Sequence, residues 1–313
     1  RSPRYYVSAA YWDRDSLLWA FPAILTVDAA YAREILTYVF TRQARNFGVH
    51  SRFIDGTMLE PGFELDELCA PVIALDRYVE KTGDTAFAAR PFVRDGLEEI
   101  LRRMEAKKHP SVPMYETFLQ PTDDMHNHIY LTYDNALVCY ALRALAKLLN
   151  RAELAEEAER TRRAVYEHCV KEQNGRPFFA WSVDLNGHFD IYDEPPGSLL
   201  LLPFYGFCEE NDPIWQTTAA MIRDESYPLS FAGHPIAEIG CKHAPHPWIL
   251  SICNSLLSGH ADSALLHLSR TPLDNGVACE SVNEDTGLCE TGEAFATCAG
   301  FLSYALYCAC CKD

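Results

Sequence analysis

Leu65-Asp-Glu-Leu-Cys-Ala-Pro-Val-Ile-Ala-Leu-Asp-Arg-Tyr-Val-Glu-Lys-Thr-Gly83 places Leu65, Leu68, Cys69, Val72, Ile73 and Leu75 at spacings of three and four before a glycine. That is the pattern of a helix with a buried face, ended by a residue that accepts left-handed backbone. Asp95 to Lys107 repeats it with Leu97, Ile100, Leu101 and Met104, and Tyr133 to Leu149 with Ala136, Leu137, Tyr140, Ala141, Ala144, Leu145 and Leu148. Ser16 to Val27 opens the series, and Glu153 to Val170, Trp215 to Ile222, Pro247 to Leu257, Asp262 to Leu268 and Glu293 to Cys311 continue it. Strand signals are few. The best is Phe178 to Asp184, joined through Asn186-Gly187 to Phe189–Tyr192, which reads as a hairpin. Loops rich in Pro, Gly, His and acids connect the helices at 54–62, 109–128, 192–198, 230–246 and 274–292. The expectation is an all-α toroid of helical hairpins with a small β-hairpin insertion, whose loops gather into one pocket. No linker or low-complexity stretch divides it, so 1–313 reads as one domain.

The chain has 313 residues, 44 acidic against 27 basic, and a formal charge of −17. Phosphate binding needs a basic stripe that releases counterions, so this balance argues against nucleic acid. It disfavours anionic membrane surfaces for the same reason, and no run approaches the roughly 18 apolar residues of a spanning helix. The expected partner is a small neutral or cationic molecule. Half of the 12 cysteines follow residue 278, at Cys279, Cys289, Cys298, Cys308, Cys310 and Cys311. A chain of this length does not need disulfide staples. With no Asn-x-Ser/Thr sequon, reduced thiols in a cytoplasmic setting are expected. The chain starts at Arg1 rather than Met, which reads as a processed end or an internal boundary.

Several loops concentrate chemistry. Tyr11-Trp12-Asp13-Arg14-Asp15-Ser16 opens an apolar helix. Its acids have a plain reading as helix-start residues, and a functional one in which Trp12 stacks on a sugar while Asp and Arg bridge hydroxyls. Glu116 to His128 contains Asp123, Asp124 and His126. The adjacent carboxylates are either solvated ahead of a helix or have titrations pushed apart, which leaves one protonated as a general acid. Glu280 lies among small and apolar neighbours in an otherwise acidic loop, as a general base would. Asp193 and Glu194 precede an apolar run. Cys241, His243 and His246 have spacing reminiscent of a zinc site, but a further ligand is missing, so with Trp248 they read as a pocket wall and no metal is expected. The chain lacks a Walker loop, GxGxxG and GxSxG, so nucleotide binding and serine hydrolysis have no support.

Four of these segments, in order along the chain, resemble the inverting exo-glycosidases that fold as an (α/α)6 barrel. That clan includes glucoamylases, disaccharide phosphorylases and the family 125 exo-α-mannosidases. Trp12-Asp13-Arg14-Asp15-Ser16 is similar to the mannosidases' Trp-Leu-Arg-Asp-Ser, and Pro121-Thr122-Asp123-Asp124 to their Pro-Ser-Asp-Asp. Asp193 to Pro203 resembles Asp-Asp-Ala-Asn-Val-Pro-Ser-Leu-Leu-Ser-Leu-Pro, and Glu280-Ser281-Val282-Asn283 resembles Glu-Ser-Phe-Asn. Glu280 to Gly287 also resembles the Glu-x-x-Asn-x-x-Thr-Gly of family 63 glucosidases. Asp13 in place of Leu and the Pro195-Pro196 loop depart from the mannosidase pattern and bear on which sugar is accepted. The chain is short for this clan, so an N-terminal helix pair is expected to be absent or trimmed.

The resemblance implies removal of a terminal α-linked mannose or glucose with inversion and without a cofactor. In that reading Asp124 is the acid, Asp123 holds the sugar and Glu280 is the base. The order of the two aspartates rests on the phosphorylases, whose second acid aligns with Asp124. Trp12, Asp13, Arg14 and Asp15 would clamp the terminal ring, with Glu116, His126, Asp193, Glu194, His243, His246 and Trp248 lining the site. An inverting pair stands about 6.5–9.5 Å apart. A sugar 2-epimerase using His243 and His246, a phosphorylase, and a toroid that binds carbohydrate without turnover are the alternatives.

Overall fold

The computed structural model describes residues 10–311, which group into two compact units, one of 10–169 with 182–189 and one of 170–181 with 190–311. In the first, helices α1 (Phe21–Val27), α2 (Ala29–Thr41), α3 (Leu65–Thr82), α4 (Thr85–Ala88), α5 (Pro91–Glu105), α6 (Thr132–Leu149) and α7 (Ala152–Cys169) follow one another. Helix α3 packs against α2, α5 and α6, and every residue from Leu65 to Asp76 is buried. Burial is thus broader than the apolar stripe alone, and it encloses Asp66, Glu67 and Pro71. Truncating one of its buried leucines should cost about 2–5 kcal/mol. Gly83 ends the helix as expected, at φ 70°, with its N–H donating to Val79 O at 2.8 Å. Helix α6 stops on Asn150, also left-handed at φ 57°.

The second unit contains α8 (Pro213–Ile222), α9 (Ile249–Leu257), α10 (Ala261–Ser269) and α11 (Ala296–Cys310). Asp212 caps α8 by accepting from Ile214 N at 2.8 Å. Helix α9 packs against both α10 and α11. Among the described residues no helix is long and apolar enough to cross a membrane.

The structure differs from the sequence expectation in four places. Arg14–Ala20 is a π-helical turn, in which Phe21 N donates to Ser16 O, and α-helical geometry starts only at Phe21. Helix α2, capped by Asp28 through Tyr31 N at 2.9 Å, was not anticipated. The expected loop 54–62 is largely strand: Met58–Phe63 pairs with Val49–Phe53, which pairs in turn with Ala10–Tyr11. The run Phe178 to Asp184 is two strands, because Arg176–Phe179 pairs with Val170–Gln173 while Ser182–Val183 pairs with Tyr130–Leu131. Among the described residues there are four small sheets, and the expected hairpin survives within one of them, where Ser182–Val183 is also bonded to Phe189–Asp190.

Candidate active site

In the first unit a buried ionic cluster surrounds the π-helical turn. The turn leaves the N–H groups of Asp13 and Arg14 without helical partners, and the Glu67 carboxylate accepts both, at 2.5 and 3.0 Å. The Arg14 guanidinium donates to Glu64 and Asp66, both at 2.8 Å, and to Asp123. A second arginine, Arg52, donates to Asp13 Oδ2 at 2.5 Å and lies over the Tyr11 ring. His50 Nδ1 meets Glu64 Oε1 at 2.6 Å and stands 3.6 Å from Asp123 Oδ1, while its Nε2 meets Glu60 at 3.2 Å.

These contacts set the charges. Burial pushes Glu64 up to about 7 against the pull of Arg14. For His50, burial works downward but the hydrogen bond and charge of Glu64 outweigh it and raise it. Burial also pushes Glu67 and Asp13 up. His50, Glu64 and Asp123 bring ligand atoms within 4.8 Å of one another, a spacing that suits a cation. Arg14 already supplies positive charge to two of the three, so a guanidinium offsets part of the cluster's negative charge.

The loop carrying Asp123 and Asp124 is tied to the start of α3. Leu65 N donates to Thr117 Oγ1 at 3.1 Å, and Phe118 N and Leu119 N donate to Phe63 O. Gln120 N donates to Asp124 O at 3.0 Å, and Asp123 N to Gln120 O at 2.8 Å. Within this turn Asp123 has φ 67°, a left-handed conformation that an aspartate adopts at some cost. Asp124 is half-buried. His126 Nδ1 meets His128 O at 2.6 Å. Trp12 is buried and meets the His50 ring edge-on at 5.9 Å. Asp15 is also buried. Glu116 turns to Lys107, at 3.2 Å.

In the second unit Glu280 is buried at the entrance to the strand pair Ser281–Val282 and Cys289–Thr291. Its N–H donates to Thr291 O and Gly292 O, and its Oε2 accepts from Thr291 Oγ1 at 2.6 Å. Its backbone carbonyl accepts from Ile249 N at 3.0 Å, and Val282 N donates to Pro247 O at 2.8 Å. The loop 247–249 thus runs beside the Glu280 segment and brings buried Trp248 with it, whose ring faces exposed His243 at 6.3 Å. His246 Nδ1 pairs with Glu284 at 3.1 Å. Cys241 is buried. The Asn-x-x-Thr-Gly portion of the motif is a turn. Asn283 Oδ1 accepts from Asp285 N, Thr286 N and Thr286 Oγ1. Gly287, at φ 69°, passes so near Arg270 O that a Cβ would lie 2.3 Å from it.

Asp193 and Glu194 are both buried. Asp193 uses its two oxygens locally, accepting from Leu199 N and Ser198 Oγ, each at 2.7 Å. Burial pushes it up to about 7. Sequence reasoning missed His50, Arg52, Glu64, Asp66 and Glu67. The available signal was Glu64-Leu-Asp-Glu67 at the head of a fully buried helix, where three acids demand cations.

The model of the metal-independent alpha-mannosidase (GH125) family matches residues 109–304. This chain belongs to that family. The matched span contains Asp123, Asp124, Asp193 and Glu280. The Schizosaccharomyces pombe meiotically up-regulated gene 157 protein is 27% identical over 161 residues, 48% of this chain and 32% of that protein. The chain therefore aligns with about a third of the length of that curated relative. Among solved structures, a Streptococcus pneumoniae metal-independent α-mannosidase in a non-productive complex with α-1,6-mannobiose superposes with a TM-score of 0.80. It is 19% identical, and the match covers 96% of this chain and 86% of that one. A bacterial glucoamylase complexed with acarbose superposes with a TM-score of 0.73 at 16% identity, covering 96% of this chain and 48% of that chain. The GH125 chain accordingly has the (α/α)6 glycosidase fold.

Proposed function

We propose that this GH125 chain is an exo-acting α-mannosidase that releases a terminal mannose with inversion, and that α-1,6-linked mannosides are its substrates. The observation that carries the reading is the family match, which spans both candidate carboxylate loops. Mannobiose on the Streptococcus pneumoniae relative supports the choice of sugar and linkage.

In this reading Asp124 protonates the departing glycosidic oxygen as positive charge develops at the anomeric carbon. Glu280 takes a proton from a water that attacks the opposite face, giving β-mannose. Thr291 donates to one carboxylate oxygen of Glu280 and so helps to orient the group. Buried Arg14 holds Asp123, which is 28% exposed and presents an acceptor suited to a sugar hydroxyl. No step calls for a metal.

Proton NMR of α-1,6-mannobiose and matched gluco- and galacto-disaccharides, recorded from the first minutes, tests this. β-Mannose should appear first and mutarotate later. First appearance of α-mannose overturns inversion, and turnover of only glucosides overturns the sugar assignment.

A further inference from the structure

Glu238, a buried carboxylate of the second unit, has no part in the proposed mechanism. Its Oε2 accepts from Ser251 Oγ at 2.7 Å and from Ser255 Oγ at 2.8 Å, two buried hydroxyls one turn apart on α9. Its Oε1 meets His267 Nδ1 of α10 at 2.8 Å. Burial works against ionisation, but the His267 hydrogen bond, the Arg223 charge and the two hydroxyls outweigh it and hold the carboxyl below its ordinary range. The two serines differ in what else they bond. Ser255 Oγ accepts from Arg223 Nη1 at 2.7 Å. Ser251 Oγ accepts instead from Ile239 N at 3.1 Å. A hydroxyl has a single proton, so donating it to a charged acceptor turns the lone pairs of Ser251 towards that amide.

From Ile239 a run of backbone bonds leads to Glu280. Ile239 O accepts from Trp248 N at 3.1 Å, and Trp248 is bridged antiparallel to Ser281. On either side of that bridge Ile249 N donates to Glu280 O at 3.0 Å, and Val282 N to Pro247 O at 2.8 Å. The segments are closely packed: Gly240 passes so near His246 O that a Cβ would lie 2.4 Å from it. We propose that Ser251 is a positioning residue for Glu280: oriented by the Glu238 carboxylate, its hydroxyl fixes Ile239 and, through Trp248, the strand that carries Glu280. A buried charge is weak as a source of stability, because desolvation offsets what its partners return. What Glu238 supplies here is a single direction for the Ser251 hydroxyl. Misplacing a catalytic group by about 1 Å costs roughly 100-fold in rate. The effect on turnover rests on Glu280 being the base; the link from Ser251 to the Glu280 strand does not.

Ser251→Ala and Ser255→Ala each remove one hydroxyl from the same carboxylate oxygen, but only Ser251→Ala deprives Ile239 N of its acceptor. Turnover of α-1,6-mannobiose is measured for both variants, together with amide hydrogen exchange, read by mass spectrometry, in peptides covering 247–249 and 280–282. Ser251→Ala should lose roughly 10- to 100-fold in kcat with KM within about twofold, and amides in those two segments should exchange faster. Ser255→Ala should keep both kcat and this exchange close to the parent's. Equal losses in the two variants, a loss carried by KM, or an undiminished kcat in Ser251→Ala would each overturn the proposal. So would unchanged exchange in the two segments, and acceleration spread over the whole chain, α6 and α7 included, would assign Ser251 to the fold alone. If the parent hydrolyses no mannoside, the functional reading fails, and exchange alone then decides whether Ser251 holds the Glu280 strand.

Discussion

Arg14 and Asp123, 109 positions apart in the chain, form an ion pair that closes the Asp123–Asp124 turn onto the head of α3. Arg14 is completely buried and holds Glu64 and Asp66 with the same side chain. Asp123 is 28% exposed and takes a left-handed backbone. One partner is thus anchored in the core, while the other remains within reach of a ligand.

Arg14→Met should leave three carboxylates without their cation, two of them fully buried. Breaking a buried pair from one side costs about 3–5 kcal/mol. Arg14→Lys keeps the charge but loses the planar fork that reaches three partners, and should fall between. Urea denaturation at pH 7 ranks the three proteins; equal midpoints would refute the anchoring role.

Asp123→Asn should behave differently. Asparagine tolerates the left-handed region, and the lost charge lies partly in solvent, so stability should change by less than about 1 kcal/mol. Catalysis should suffer far more, with kcat/KM on α-1,6-mannobiose falling roughly 100-fold through lost positioning. Loss of stability without loss of kcat/KM would assign Asp123 to the fold alone.

Asp124 and Glu280 can be told apart by the leaving group. Asp124→Asn should lose about 10²–10⁴-fold on mannobiose. It should recover most of that on an aryl mannoside whose phenolate departs without protonation. Glu280→Gln should be impaired on both, because water activation is still required. If Asp123→Asn rather than Asp124→Asn shows the aryl rescue, the two aspartates exchange roles.

Long local regularities were legible in the sequence. Leu65 to Leu75 announces α3 and Gly83 its end, because helix geometry repeats every few residues. The Asn283-to-Gly287 turn was visible as a motif before its reason, the approach of Gly287 to Arg270 O, was known. What could not be read was pairing between distant positions. Asp66 and Glu67 look like ordinary first-turn acids until Arg14 is placed beside them, and nothing near Arg52 marks Asp13 as its partner. Nor does a Pro-Thr-Asp-Asp string reveal that its first aspartate has an inverted φ. Asp193 illustrates the converse, since a carboxylate that resembles a sugar ligand by motif spends both oxygens on Ser198 and Leu199.

That local role makes Asp193 a source of pH-dependent stability. Its pKa is raised by burial from 3.8 to about 7. A folded-state value above the unfolded one means that its contribution is complete below about pH 3.8 and is lost as pH rises through about 7. The span corresponds to a loss on the order of 4 kcal/mol. Asp193→Asn keeps an acceptor for Leu199 N and an amide for Ser198 Oγ, yet cannot ionise. Its melting temperature should therefore decline less than that of the parent between pH 4 and pH 8, and parallel profiles would remove Asp193 from the account.

Thr291 gives the most direct test of how Glu280 is held. Its hydroxyl donates to Glu280 Oε2 at 2.6 Å, and its methyl group makes valine a near-isostere, so Thr291→Val removes the donor with little change in packing. A hydrogen bond to a charged group is worth about 1.5–3 kcal/mol, or roughly 10- to 150-fold in rate if all of it serves to position the base. On the proposed role of Glu280 as the base, the loss should fall on kcat, with KM within about twofold, because the bond would then serve water activation rather than sugar binding. Thr291→Ser should restore most of the rate. A rise in KM at constant kcat would instead place Thr291 among the groups that bind substrate.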